Sequence, residues 1–255
     1  MLSLLSPAKT LDYETPATTD TLTTPDFLDH SAELVEILKK KSVKQIGKLM
    51  GISEKLATLN HERFQTWQNP MPPAEVKQAV LAFKGDVYLG LEAGTLTAKQ
   101  LGYAQDHLRI LSGLYGMLRP LDAMLPYRLE MGTKLKTSRG SDLYSFWGAS
   151  LTAAINEQLA ATKSKYLINL ASNEYFQSVR AGEIEANIIS PTFKDLSNGK
   201  YKIISFFAKK ARGMMAAYLI RGRVKTLKKL TAFDSDGYRY DEESSTESKP
   251  VFLRG

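Results

Sequence analysis

The chain begins with the apolar run Leu2, Ser3, Leu4, Leu5 and meets a proline at Pro7. A run this short cannot lay a helical face on a core, and a proline directly behind it ends regular structure, so the run reads as a buried strand. A sheet starts there. The stretch YETPATTDTLTTPD has no periodicity and reads as a surface loop leading through Pro25 and Asp26 into a helix on which Leu28, Leu34, Ile37 and Leu38 share one face. Further helices are predicted over Val43 to Met50, Ser53 to Gln65, Ala74 to Phe83 and Thr97 to Ile110.

The second half alternates more evenly. SDLYSFWGASLTAAINEQLA predicts a long amphipathic helix capped by Ser141 or Asp142, and KYLINLAS predicts a strand running into the short helix NEYFQSV. EANIISPTF and KYKIISFFA read as strands joined by the turn LSNGK, and KKARGMMAAYLI returns to helix. No repeat or linker divides the chain. The expectation is an α/β (mixed α+β) fold in a single domain over 1–255, with a mixed sheet and surrounding helices.

Composition narrows the function. With 43% hydrophobic residues the chain can build a substantial core, and no apolar run approaches the roughly 20 residues of a membrane span. MLSLLSPAK is short and lacks the basic start of a secretory signal, so a cytoplasmic protein without membrane partners is expected. The absence of cysteine excludes disulfides, thiolate-bound zinc and a cysteine nucleophile. The net charge of +7 is unevenly placed: Lys194 to Lys229 holds eleven Lys or Arg against Asp195, whereas Asp234 to Glu247 holds six acids against Arg239. Such a basic region is either a solvated face balanced by the acidic stretch or a surface for a polyanion.

The familiar catalytic strings are missing. There is no phosphate-binding G-x-x-x-x-G-K-[ST], no G-x-G-x-x-G and no G-x-S-x-G, and the His61 string HERFQ ends in Gln65 rather than histidine. SPAK at Ser6 fits S-x-x-K, but its S-D-N and K-T-G companions are absent. His30, His61 and His107 have no ligand-like spacing, so neither a metal nor a cofactor is expected.

Ile46 to Leu59, IGKLMGISEKLATL, is more informative. Two short helices meet at Gly51, Ile52 and Ser53, with Ala57 where close helix packing favours a small side chain. The pattern looks like a helix-hairpin-helix spanning about 43–67, although Met50 and Ser53 stand where that motif usually has proline and its second glycine. The start of the second helix would present free backbone N–H groups to one phosphate, with Lys48 and Lys55 adding charge. An ordinary helical hairpin in the core would carry the same pattern.

The stretch LSGLYGMLRPLDAMLPYRLEMG, Leu111 to Gly132, has neither helical nor hairpin rhythm. In PYRLEMG, alternation sets Tyr127, Leu129 and Met131 on one side and Arg128 and Glu130 on the other. Arg119 precedes Pro120, which holds it in extended or turn geometry suited to planar recognition of phosphate or carboxylate. A structural salt bridge, Arg128 with Glu130 or Asp122, is the alternative.

Taken together, LLSPAKTLDY, LSGLYGMLRPLDAMLPYRLEMG, DLYSFWG, NLASNEYFQSV and KIISFFAKKARGMMAAYLI resemble the YaaA peroxide-stress-resistance family (UPF0246), from Met1 to about Phe252. The resemblance implies a cytosolic protein that helps cells survive hydrogen peroxide by limiting unincorporated iron, with a helix-hairpin-helix, a basic cleft and DNA-binding ability. Position by position, the family-like strings supply Lys9, Arg119, Arg128, Glu130, Asn169, Ser172, Glu174, Lys209, Lys210 and Arg212 to that cleft. Lys9, just past a strand end, occupies a usual ligand position of α/β folds. The preferred partner is double-stranded or structured DNA, bound through its phosphates. The alternative is an enzyme acting on a phosphate-bearing or nucleotide-like small molecule, with Glu130 or Glu174 as general base. On the helix KKARGMMAAYLI, Lys209 and Arg212 are expected in the first turn, where the dipole disfavours cations and an anion would compensate.

Overall fold

In the computed structural model, which describes residues 1–255, β1 (Leu2–Leu5) is buried along its whole length. The short β2 (Thr10–Leu11) follows, and a Thr-rich loop leads to α1 (Leu28–Lys39), α2 (Val43–Met50) and α3 (Glu54–Thr66). The helix expected over 74–83 shrinks to one turn, α4 (Ala79–Ala82), between β3 (Lys77–Gln78) and β4 (Phe83–Lys84). The reason is tertiary. Buried Lys77 donates to the Asp12 and Thr15 carbonyls, both at 2.7 Å, and Gln78 donates to those of Thr19 and Thr21, so these side chains tie down the Thr-rich loop.

Next come α5 (Asp86–Leu91), α6 (Ala98–His107) and β5 (Leu108–Ser112). A capping box of Thr97 and Gln100 starts α6, but the helix predicted to Ile110 stops at His107, because Leu108, Arg109 and Ile110 pair with Ser3, Leu4 and Leu5 of β1. Apolar residues there satisfy both periods, and the sheet wins. β6 (Gly116–Leu118) and β7 (Ala123–Met124) precede α7 (Leu143–Trp147) and α8 (Ser150–Ala161). The sequence pattern predicts these last two as one helix. Asp142 is the cap, accepting from the Ser145 N–H at 2.8 Å, and Gly148, with φ of 51°, breaks the helix.

The chain then runs through β8 (Tyr166–Asn169), α9 (Asn173–Phe176) and β9 (Asn187–Ile189). Pro191 separates β9 from β10 (Thr192–Ser197), so the single strand expected in EANIISPTF serves two sheets. β11 (Lys200–Lys202), α10 (Ser205–Arg221), α11 (Leu227–Leu230), β12 (Arg239–Thr246) and β13 (Lys249–Arg254) complete the chain. The expected hairpin joins β10 and β11 through Asn198 and Gly199, both at positive φ, whereas IISFFA leaves the strand at Lys202 and starts α10.

The main sheet has the order β6-β5-β1-β8-β9, parallel except for the β5–β6 hairpin. The second sheet, β11-β10-β13-β12, carries much of the acidic stretch on β12. One contiguous hydrophobic cluster includes Leu2 of the first sheet and Phe193 and Phe252 of the second, which makes this one α/β domain.

Candidate functional site

The central strands β1 and β8 are parallel neighbours whose connections depart in opposite directions, to β5 on one side and β9 on the other. Their carboxyl ends form a topological switch point, the usual location of a ligand in such sheets. Ser6 follows β1 and meets Ser172, which follows β8. The Ser172 N–H donates to Ser6 Oγ at 2.8 Å, and the two hydroxyl oxygens lie 3.3 Å apart. Tyr88, from α5, donates its hydroxyl to the Ser6 carbonyl at 3.1 Å. Asn169 is used locally, accepting from the Ala171 N–H at 3.1 Å.

The segment after Pro126 crosses this end of the sheet without joining it. Its alternation is as the sequence predicts: Tyr127, Leu129 and Met131 are buried, while Arg128 and Glu130 are half-buried. Tyr127 is pinned to Ser112 by a 2.6 Å hydroxyl contact, and the backbone at Leu129 runs so close to Gly113 that a Cβ there would lie 2.2 Å from the Leu129 oxygen. The polar side is thereby fixed in place. Glu130 receives Arg128 Nη2 at 3.0 Å on one oxygen and Lys9 Nζ at 2.7 Å on the other. Lys9 is 63% exposed and open to solvent, whereas Arg128 Nε is buried without any acceptor. Glu174 joins the group through Gly132, whose N–H donates to Oε1 at 3.0 Å. Burial raises the Tyr175 phenol pKa well above its ordinary value, with Tyr127, Glu174 and Glu130 adding to the effect.

Arg119 lies elsewhere. Its guanidinium contacts Asp122 at 2.9 Å and Asp26 at 3.2 Å, so its constrained backbone serves an internal ion pair. Lys209, Lys210 and Arg212 all sit on α10, and Lys210 lies 3.7 Å from Asp236. The helix begins at Ser205, a turn earlier than expected, so Lys209 and Arg212 are not in its first turn and the dipole gives no reason for an anion there. Arg212 has neither an ion-pair nor a hydrogen-bond partner, and burial lowers its pKa.

A third location is the turn between α2 and α3. Ser42 and Gln45 form a capping box at the start of α2, and Gly51 closes that helix with φ of 62°. The two helices touch where Gly47 faces Ala57: a Cβ on Gly47 would lie 3.4 Å from the Ala57 Cβ. Ser53 takes the N-cap position of α3 with extended backbone but makes no side-chain cap. The N–H groups of Glu54, Lys55 and Leu56 consequently have no acceptor within the chain. Lys48 and Lys55 are exposed and belong to no ion pair, since the paired lysines are Lys9, Lys39, Lys77, Lys84 and Lys210. Sequence reasoning missed Lys44, which lines the 570 Å³ groove beside this turn with Lys48 and Glu54. Its spacing of four from Lys48 was the available signal.

The structure thus brings Lys9, Arg128, Glu130 and Glu174 to the carboxyl end of the central strands and Lys48, Gly51, Ile52, Ser53 and Lys55 to one turn, and leaves Arg119 in neither. A family model described as "Peroxide stress protein YaaA" matches residues 1–244. A UPF0246 protein of Pseudoalteromonas translucida (strain TAC 125) is 56% identical over 255 residues, which cover 100% of this chain and 98% of that relative. The chain belongs to the peroxide stress protein YaaA family.

Proposed function

We propose that this protein acts in peroxide stress by binding DNA through backbone phosphates at the α2–α3 turn, and that lowering unincorporated iron is part of the protection it gives. The observation that carries the reading is the set of unpartnered N–H groups at Glu54, Lys55 and Leu56, flanked by unpaired Lys48 and Lys55. Free donors, a helix dipole and two cations converge where one phosphate oxygen cluster fits. Such contacts hold the backbone and do not read bases. Duplexes of unrelated sequence should therefore bind alike, and the double reversal Lys48→Glu with Lys55→Glu should weaken all of them equally. The salt dependence should flatten by about 0.9 log–log units for each phosphate the variant no longer neutralises. Unchanged affinity in a gel-shift titration would refute the hairpin as the DNA contact. For the iron effect, chelatable iron measured in peroxide-treated cells should be higher with the double variant than with the wild-type protein.

A second reading, an enzyme acting on a phosphate-bearing substrate, rests on the switch-point cluster. Arg128 Nε is buried without an acceptor, and Lys9, though paired with Glu130, is open to solvent, so an anion that takes these two cations from Glu130 frees that carboxylate to accept a proton. Glu130→Gln keeps the shape and removes the base. On this reading the variant melts within about 2 °C of wild type, a change below 1 kcal/mol, yet loses peroxide protection in cells. Early melting with protection retained marks a purely structural pair.

A further inference from the structure

At the end of the main sheet opposite Lys9, a 590 Å³ pocket is lined by Met1, His107, Thr162, Lys163, Ser164, Lys165, Tyr166, Lys225 and Thr226. No carboxylate is among them. Two turns build its basic walls. The turn after α8 is closed by the Ser164 N–H donating to the Leu159 carbonyl at 2.9 Å, and it sets exposed Lys163 and Lys165 on either side of Ser164. The turn before α11 presents Lys225 next to the helix cap Thr226. None of these three lysines belongs to an ion pair.

His107 supplies the floor. Its Nδ1 lies 3.0 Å from the Met1 carbonyl, which can only accept, so Nδ1 carries the hydrogen and Nε2 has no partner in the chain. Tyr103 stacks on the ring at 4.1 Å, and Arg223 lies over Tyr103 at 5.6 Å, so the imidazole is held in orientation. The charged groups acting on His107 are the Met1 amino group, Lys225 and Asp106, and only Asp106 favours its protonation. Burial is the largest influence and lowers the His107 pKa below its ordinary value. Lys163, Lys165 and Lys225 thus line one pocket with no ion-pair partner, and Asp106, outside its lining, is the one acid acting on His107.

We propose that this pocket binds a terminal phosphate or pyrophosphate group between Lys163, Lys165, Lys225 and His107. Its volume suits a mononucleotide-sized ligand. Several lysines around one cavity match a compact group of charge near −2 better than the singly charged diesters of a DNA backbone. The ligand would be a free nucleotide or the 5′-phosphorylated end of a DNA strand, which share this chemistry. The site is separate from the α2–α3 turn and does not depend on it.

The test uses inorganic pyrophosphate and the full chain, with binding followed by calorimetry at low salt and the His107 ring followed by NMR. Pyrophosphate should bind, raise the His107 pKa, and lose at least tenfold in affinity in the double variant Lys165→Ala with Lys225→Ala. Both lysines are exposed, and the ligand-free variant should melt no earlier than wild type. Its own His107 pKa should already be higher, because Lys225 is gone. Lys48→Glu with Lys55→Glu should bind pyrophosphate as wild type does, which separates this site from the DNA reading. Displacement by adenosine monophosphate identifies a free nucleotide as the source. Displacement by a 5′-phosphorylated oligonucleotide but not its 5′-hydroxyl counterpart identifies a strand end. No pyrophosphate binding, or equal binding by the Lys165/Lys225 variant with an unmoved His107, overturns the proposal.

Discussion

Arg119 and Asp122 show how one ion pair treats its two members differently. Asp122 is fully buried, and burial raises its carboxyl pKa despite hydrogen bonds from Arg119 and from Thr23 at 2.6 Å. Arg119 is a quarter exposed, and there the hydrogen bond and charge of Asp122 outweigh burial and hold the guanidinium protonated more firmly. A carboxyl whose native pKa is raised stabilises the fold below its unfolded pKa and loses that contribution as pH rises through the native value. Removing the arginine sharpens this. Arg119→Ala should cost about 3 kcal/mol at pH 7, where a buried carboxylate is left without its cation, and less at acid pH, where Asp122 protonates instead. Urea unfolding of both proteins at the two pH values checks the sign. Asp122, which the sequence offers to Arg128, pairs instead with Arg119 three residues away, whereas the Arg128–Glu130 pair is legible, because a period of two is a local property. Lys9 reaching Glu130 is not, since nothing in the spacing of those residues says which loop crosses which strand end.

At the scale of elements, the boundaries that held are those with chemistry at their ends. Val43–Met50 is bounded by the Ser42–Gln45 box and by Gly51, and both ends can be read directly. The boundaries that moved lack such marks: Leu108 to Ile110 suit a helix or a strand equally, and only pairing with β1 decides. The contact of α5 with α10 was invisible for a related reason. Gly90 and Gly213 face opposite backbones, so that a Cβ on Gly213 would lie 1.8 Å from the Val87 oxygen and one on Gly90 2.0 Å from that of Lys210. Gly213→Ala should therefore destabilise by about 3 kcal/mol through forced separation of the helices. Gly102, mid-helix in α6 with nothing within 4 Å of an added Cβ, is the control, and Gly102→Ala should stabilise by about 0.5–1 kcal/mol. Thermal melts of the two variants should move in opposite directions.

For the molecule as a whole, the sequence predicted an α/β class and one domain, because short apolar runs alternate with amphipathic segments without a break. Strand order was out of reach. The pairing of β1 with both β5 and β8 joins residues more than a hundred positions apart, and a second sheet split off at Pro191 gives no compositional signal. The uneven charge was visible as a segment but not as a place: of the basic run, Lys225 meets Lys163 and Lys165 at one end of the main sheet, while Lys209 and Lys210 lie along α10. No helix of the chain is long and apolar enough to cross a membrane.

The glycine contact between α5 and α10 has a mechanical side. Tyr88, two residues before Gly90, holds the carbonyl of Ser6 at the end of β1, three residues from Lys9. Where backbones touch directly, no side chains can give way under load. Packed this closely, α5 and α10 are joined to the strand end as by a bracket rather than a hinge.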